Sequence, residues 1–301
     1  MPSSASTNDE FTKHYTTAID ALCEIARSYF FLGRLGDALD LLRMSLQIME
    51  AGEVAPQDRL KLLLLYGKVL TVDHLINRGD TDPMFSTIRQ AKQIAEATQD
   101  QQGIADALSL LGQAHCFATT ITIVKSGALP FGTQGQGKYD EALNYHLQAL
   151  KLQEALHDTR GISESHFCIG LVYQFWQQND LARENFTKAI QVAEQYGHVL
   201  EQAEPNRHLT LDALFKGDLD QALTHAQRAL SFREAGGFRP YQPLDHLSLR
   251  DIYLKKGDTA NAQFHMQQAS TIASEMGFPT LVSSVINSTN RLGAQVEEPT
   301  K

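Results

Sequence analysis

Histidine side chains, which bind metals and transfer protons near neutral pH, are frequent in this chain of 301 residues. Eleven are present, and His115, His166, His208 and His246 lie in segments with helical apolar spacing. A catalytic zinc site needs three converging ligands, often at a spacing such as HExxH, and no such spacing occurs. We therefore predict no metal site, and we interpret His166 and His246 as packing side chains with one hydrogen-bond partner each.

A polar cluster is the alternative interpretation of the same residues. His166, His208, His246 and Arg250 would then converge, with Arg207, on a pocket reached by solvent. Arginine presents a planar fork that suits a carboxylate, but a structural ion pair with a glutamate at 201 or 204 is the simpler role for Arg207. Side chains that point into separate helix–helix seams would remove this enzyme hypothesis.

Motifs for covalent catalysis and for phosphate binding are absent. The sequence has no GxSxG, no GxxxxGK[ST], and no GxGxxG after a strand. The glycines of FGTQGQGK at 131–138 follow no strand, so we interpret this segment as a flexible connector. Cys23, Cys116 and Cys168 are far apart and favour buried packing roles in a reducing cytoplasm. No cofactor is expected.

Composition narrows the class of protein further. The net charge is -9, the isoelectric point is about 5.6 and 43% of the residues are hydrophobic. A nucleic-acid or anionic-membrane binder needs a basic face, and the longest basic run here is the pair Lys255 and Lys256. The first residues lack the apolar stretch of a signal peptide, and no run of eighteen apolar residues occurs. These features predict a cytoplasmic protein that binds neither nucleic acid nor membrane.

Small residues recur along the chain with a constant stride of forty residues. Alanines follow four short turns at this interval, at Ala142, Ala182, Ala222 and Ala262. A second series, Ala149, Ala189, Ala229 and Ala269, keeps the same step. Glycines close three of the segments, at Gly197, Gly237 and Gly277, where a left-handed helix cap favours glycine.

The apolar spacing within each repeating segment predicts two antiparallel helices. Residues 164–176 have helical apolar spacing, QQND interrupts it, and the spacing resumes from Leu181. Two helices of this length must stack on neighbours to bury their apolar faces. Small residues are then required where helix axes come closest, and we expect Gly170 to face Ala182 across such a crossing.

This pattern resembles the tetratricopeptide repeat. The fourth segment matches best, while the fifth has Thr210 and Ala213 in place of the family's glycine and tyrosine, and the sixth has Arg250 in place of the glycine. The stride of forty is similar to the long variant in kinesin light chains and in bacterial peptide-sensing regulators. The matching residues of the fourth segment are Ile169, Gly170, Tyr173, Ala182, Phe186 and Ala189.

The resemblance implies an all-α fold, a right-handed superhelical solenoid of about six helix pairs plus a C-terminal capping helix. It covers residues 15–293, and a single solenoid domain is expected over 11–293 between disordered tails at 1–10 and 294–301. The insertion at 118–138 either lengthens the first helix of its pair, which we favour, or folds back as a lid. The pairs are expected near 15–52, 58–98, 103–157, 160–197, 202–237 and 242–277, with the cap at 279–293.

In this family the first helices line a concave wall, which implies a groove for a ligand. Four equivalent positions hold phenylalanine, which forms an aromatic stripe or only fills the core between neighbouring helices. The expected groove residues are Arg27, Phe31, Lys68, Gln113, Phe117, Glu164, Phe167, Phe175, Arg207, Phe215 and Asp251.

The resemblance implies a scaffold that binds a protein or peptide partner, or a small amphipathic ligand. A regulator that senses a ligand or peptide, and an unusual enzyme with a His/Arg-lined site on repeats four to six, are the alternatives. The fold alone does not choose among them, since it hosts many roles. The sequence leaves the oligomeric state open.

Overall fold

The computed structural model describes residues 4–50, 54–126, 139–278 and 281, and the described chain is entirely helical. Helix propensity and apolar spacing thus determine the fold class, as the sequence predicts. The helices are α1 Ser4–Phe31, α2 Leu35–Glu50, α3 Pro56–Asn77, α4 Thr81–Ala97, α5 Gln101–Lys125, α6 Asp140–Leu156, α7 Thr159–Phe175, α8 Asn179–Tyr196, α9 Ala203–Lys216, α10 Leu219–Ala235, α11 Gln242–Lys255 and α12 Thr259–Glu275, with a 3₁₀ turn at Leu200–Gln202.

The helices pack as six consecutive pairs, which we number as repeats 1 to 6. Helices α1 and α2, α3 and α4, α5 and α6, α9 and α10, and α11 and α12 are in contact. In repeat 4, the Ser163 hydroxyl of α7 donates a hydrogen bond to the Ala189 carbonyl of α8 at 2.9 Å. The predicted succession of helix pairs is confirmed.

The helices group into two compact units, and the boundary between them falls within α8, after Val192. Residues 1–192 form the N-terminal unit and residues 193–301 form the C-terminal unit. A stack in which each repeat contacts only its neighbours has no central core, so it can divide in this way.

Small residues occupy the helix crossings. Ala142, Ala182, Ala222 and Ala262 are at most 2% exposed, so the four surroundings are equivalent in burial. A Cβ atom on Gly170 would lie 2.7 Å from the Phe186 ring and 3.1 Å from the Ala182 carbonyl oxygen. A larger side chain would force the two helices apart, which is why the sequence keeps these positions small.

Glycine and aspartate residues at the turns determine where helices end and begin. The closing glycines Gly197, Gly237 and Gly277 have φ values of 71°, 70° and 70°, a left-handed conformation that a Cβ atom disfavours. Aspartates cap the N-termini of five described helices, α4, α5, α7, α10 and α12, by accepting a backbone N–H, at Asp80, Asp100, Asp158, Asp218 and Asp258.

Extra residues in repeats 2 and 3 lengthen the first helices. Helix α3 has 22 residues and α5 has 25, against 17 in α7. Residues 118–125 of the predicted insertion continue α5, as we favoured, while 127–138 lie outside the described residues. By length and composition α5 could cross a membrane, but 56% of its most apolar window is buried, so packing against α3, α4, α6 and α7 accounts for its apolar content.

The ends of the chain differ from the prediction at the N-terminus. Helix α1 begins at Ser4, within the segment expected to be a disordered tail. No glycine or proline interrupts the sequence from Ser4 to Phe31, so the helix continues through it. The predicted cap at 279–293, apart from position 281, and the tail at 294–301 lie outside the described residues.

Candidate functional site

The first helices of the N-terminal unit lie side by side. Helices α1, α3, α5 and α7 are in contact in that order, and we call the strip of side chains along them the first-helix face. Polar contacts join the neighbours: Lys61 Nζ of α3 donates to Asp20 of α1 at 2.5 Å, and Gln113 Nε2 of α5 donates to Cys168 Sγ of α7 at 3.7 Å. The face therefore brings together residues that are distant in sequence.

An ion pair spans three helices of this face. Lys68 Nζ of α3 lies 3.8 Å from Glu164 Oε1 of α7, although α5 lies between those helices. The face must curve inward for the two side chains to meet over α5. The side chains are 47% and 34% exposed, so both remain accessible to a ligand.

Asp106 is a member of the first-helix face that the sequence analysis missed. It lies on α5 two helical turns before Gln113, so both project from the same side, and this spacing was the available signal. Burial raises the pKa of its carboxyl to about 6, the hydrogen bond from Gln102 at 3.1 Å opposes the rise, and Asp158 and Glu164 add to it. The face thus contains an acidic group that titrates near neutrality.

The predicted phenylalanines separate into exposed, half-buried and buried side chains. Phe31 and Phe117 are half-buried, and Phe31 lies edge-on to Phe30 at 6.0 Å between ring centroids. Phe215, in the C-terminal unit, is 74% exposed, whereas Phe175 is 6% exposed.

Phe175 belongs to the hydrophobic core rather than to the ligand-facing surface. Its ring stacks on Tyr139 at 4.8 Å, within a buried cluster that includes Cys116 and Val172. Tyr139 precedes α6 and closes over the end of α7, a contact that the position of Phe175 in its repeat does not encode. The core interpretation therefore applies to Phe175.

The other predicted groove residues occupy varied settings. Arg27 is exposed and lies 3.7 Å from Glu24 on its own helix. Phe167 is half-buried and stacks on Phe186 at 6.0 Å. In the C-terminal unit, Asp251 pairs with Arg250 at 2.6 Å.

Arg207 takes part in a buried charge network of the C-terminal unit. It donates to Glu204 at 2.7 Å, as predicted for a structural ion pair, and to His208 Nε2 at 2.8 Å. Arg233, 1% exposed, bridges Glu204 and Asp245. Opposite charges thus satisfy most of the buried polar groups, and the network serves the packing of α9, α10 and α11.

The pKa values in this network follow from burial and charge. Burial opposes ionisation of Glu204, but Arg207 and Arg233 outweigh it and hold the pKa of the carboxyl well below its usual range. Burial raises the pKa of Asp245 to about 6, with Arg233 opposing the rise. Burial, aided by Arg207, lowers the pKa of His208 to about 3, so its ring is neutral at pH 7.

His166 and His246, the other two histidines of the predicted polar cluster, lie in separate helix–helix seams. His166 Nδ1 lies 3.1 Å from Asn185 Oδ1 in the α7–α8 seam, and His246 Nδ1 lies 3.0 Å from His265 Nδ1 in the α11–α12 seam. The prediction of packing histidines with one partner therefore describes both. Within the described residues, no group of three histidine, cysteine or acidic side chains could hold a metal ion.

The hydrogen-bonded seam recurs with the stride of the repeat. Asn206 and His225 form the intermediate pair, at 2.9 Å, and they stand forty residues after His166 and Asn185. Of these six residues only His166 and His246 were singled out from the sequence, although Asn185, His225 and His265 keep the same interval of forty. This recurrence indicates that these histidines serve the packing of the repeats. His166 and His246 lie at different interfaces, so they do not converge on the single site that the enzyme hypothesis requires.

Comparison with known proteins detects the tetratricopeptide repeat in part of the chain. A family model described as tetratricopeptide repeat matches residues 133–195. No curated protein sequence matches the chain significantly.

Solved structures match over most of the chain. BtubC (BKLC) from P. vanneervenii is 14% identical with a TM-score of 0.50, over 88% of this chain and 92% of that one. A Rap protein complexed with Competence and Sporulation Factor is 13% identical with a TM-score of 0.58, over 90% and 80%. Aspartyl phosphate phosphatase F from Bacillus subtilis is 13% identical with a TM-score of 0.54, over 89% and 77%.

At these identities the structural matches establish the fold, and the family model establishes the repeat within it. The helix pairs, the small residues at their crossings and the closing glycines agree with both. Residues 133–195 thus match the tetratricopeptide repeat, and the chain as a whole shares the helical-repeat fold of these solved structures.

Proposed function

We propose that this protein captures a peptide segment of a partner protein along the first-helix face of its N-terminal unit. The contact between Lys68 and Glu164 carries the proposal, because it places charges of opposite sign from α3 and α7 on one accessible surface. A peptide that crosses this surface meets both charges together with the half-buried ring of Phe117.

The ion pair is suited to exchange with a ligand. A surface pair at 3.8 Å contributes about 0–1 kcal/mol to stability, so breaking it costs the fold little. Each partner can then pair with an opposite charge on a peptide, which sets the direction in which the peptide lies. The aromatic rings supply apolar contact area at low entropic cost.

One structural neighbour is a Rap protein in a complex with Competence and Sporulation Factor. The likeness to that protein concerns the fold, and the groove proposed for this chain rests on its own side chains. Capture of a partner by a helical repeat surface is nevertheless consistent with such a complex.

Peptide selection tests the proposal without knowledge of the partner. Random peptides displayed on phage are selected against the full chain, and the affinity of the enriched peptides is measured by fluorescence polarisation. We expect Lys68→Glu to weaken binding by about tenfold, because a favourable charge contact becomes repulsive. The double variant with Glu164→Lys should recover part of the loss for peptides whose charges it accommodates.

The matched control is Lys188→Glu on α8. Lys188 also pairs with a glutamate in an exposed position, Glu184 at 2.7 Å, but α8 is a second helix. We expect this variant to bind the selected peptides as the wild type does. Equal affinity of the wild type and Lys68→Glu for every enriched peptide would refute the proposed face.

A further inference from the structure

A cleft lies on the opposite side of α5 from the first-helix face. Its volume is about 570 Å³, within the range typical of small-molecule sites. Phe85 of α4 forms one wall and the C-terminal half of α5 forms the other. The lining residues are Phe85, His115, Ala118, Thr119, Thr122, Ile123 and Ser126.

The cleft exists because α5 is long. Its lining from Ala118 to Ser126 comes from the residues by which α5 exceeds the first helix of repeat 4. His115 and Thr122 project about half a turn away from Gln113 and Phe117, given the 100° per residue of an α-helix. A ligand in this cleft would therefore not compete with a peptide on the first-helix face.

Aromatic rings contact one another at one end of the cleft. The His115 ring lies 4.7 Å from the Phe85 ring and is stacked on Tyr145 of α6 at 5.4 Å. The guanidinium of Arg89 lies 5.4 Å from the Phe85 ring centre on α4. Phe85 and His115 line the cleft, and aromatic side chains favour contact with a further planar ring.

The polar atoms of the cleft are hydrogen-bond acceptors. The Thr122 hydroxyl donates its proton to the Ala118 carbonyl at 2.8 Å, and the Ser126 hydroxyl donates to the Ile123 carbonyl at 2.7 Å. Both oxygens therefore keep lone pairs for a ligand.

His115 adds a third acceptor. Its Nδ1 lies 3.3 Å from Glu141 Oε2, and because a carboxylate only accepts hydrogen bonds, this contact favours the tautomer with the proton on Nδ1 and a lone pair on Nε2. Burial lowers the pKa of His115, Glu141 opposes the shift and Arg89 adds to it, so the ring is neutral at pH 7.

We propose that the cleft between α4 and α5 is a binding site for a small planar aromatic molecule that carries N–H donors. The ring of the ligand packs against Phe85, and its N–H groups donate to the oxygens of Thr122 and Ser126 and to Nε2 of His115. Nothing in this proposal depends on the peptide face.

Indole and benzofuran are matched probes for the site, since they have the same shape and only indole has an N–H. Chemical-shift titration of the isotope-labelled full chain should show indole binding at the cleft, and benzofuran binding about fivefold more weakly. Thr122→Val removes one acceptor from an exposed helix position and should weaken indole by a similar factor.

Two further variants complete the experiment. Ala118→Phe fills the cleft and should abolish indole binding, while circular dichroism checks that the helices remain. Thr224→Val is the control, because Thr224 also donates to a backbone carbonyl four residues earlier on an exposed helix position, at 2.9 Å. Equal binding of indole and benzofuran, unchanged binding by Ala118→Phe, or no indole binding at millimolar concentration would each overturn the proposal.

Discussion

At the scale of single residues, side chains at equivalent positions of different repeats are buried to different extents. Phe175 and Phe215 stand forty residues apart in the same register, yet their exposures are 6% and 74%. Tyr139 stacks on Phe175 because it directly precedes α6, which packs against α7. The repeat pattern specifies the residue type, and the neighbouring elements specify its burial.

Substitution of Phe175 tests its place in the core. We expect Phe175→Ala to lower the free energy of unfolding by about 3–4 kcal/mol, because it leaves a cavity beside Tyr139. Phe215→Ala, at an exposed position, should change it by about 0.5 kcal/mol or less. Urea denaturation followed by circular dichroism measures both, and similar losses would contradict the assignment.

Asp106 gives a pH dependence of stability whose sign follows from its raised pKa of about 6. The fold binds a proton more tightly than the unfolded chain, so this stabilising contribution is complete below the unfolded pKa and is lost as the pH rises through about 6. We expect Asp106→Asn to raise the free energy of unfolding at pH 7 by about 1–2 kcal/mol, after allowance for its partial exposure.

The measurement compares wild type and Asp106→Asn in urea between pH 4 and pH 7. The difference in the free energy of unfolding between Asp106→Asn and the wild type should grow as the pH rises. Asp40→Asn, at an exposed position on α2, serves as the control. A difference that stays constant with pH would mean that Asp106 does not titrate in this range.

At the scale of helices, packing at the crossings sets the structure. Gly170 and Ala182 allow α7 and α8 to approach until the Phe186 ring fills the space above the glycine. The lengths of α3 and α5 vary because they extend beyond these crossings, where no small residue is needed. Insertions are therefore tolerated at helix ends and not at the contacts.

A pair of leucine substitutions tests this distinction. Ala182→Leu adds volume at a position that is 2% exposed, and overpacking should cost about 1–3 kcal/mol. Gln178→Leu, four residues earlier and exposed, should cost about 0.5 kcal/mol or less. Thermal unfolding of the two variants should show a large decrease in Tm only for the first, and equal decreases would contradict the register of α8.

At the scale of the whole molecule, contacts are local along the chain. Within each compact unit, the described helices contact their first or second neighbours in sequence. Stability in such an array is approximately a sum over repeats and the interfaces between adjacent repeats. A substitution should therefore disturb its own surroundings more than distant repeats.

Hydrogen exchange of Ala262→Leu tests this locality. The substitution overpacks the crossing of α11 and α12, so amide exchange should accelerate in those helices, with smaller changes in α10. Exchange in α3 to α6 should remain as in the wild type. Uniform acceleration through all repeats would instead indicate that the whole chain unfolds as one cooperative body.

The sequence by itself determined the helix pairs, their stride, the small residues at the crossings and the glycines that close three of the repeats. Each of these depends on local properties: helical spacing, the φ freedom of glycine and the volume of one side chain. The sequence also predicted that Cys116 and Cys168 are buried, and the structure confirms it.

Only the tertiary structure decided which of these side chains meet. Lys68 of α3 meets Glu164 of α7, the packing around α5 buries Asp106 and raises its pKa, and Arg233 of α10 bridges α9 and α11. These contacts depend on helix lengths and on the angle at which successive pairs stack. A periodic sequence specifies where each helix begins and ends. The distances between side chains of different helices depend on how those helices pack.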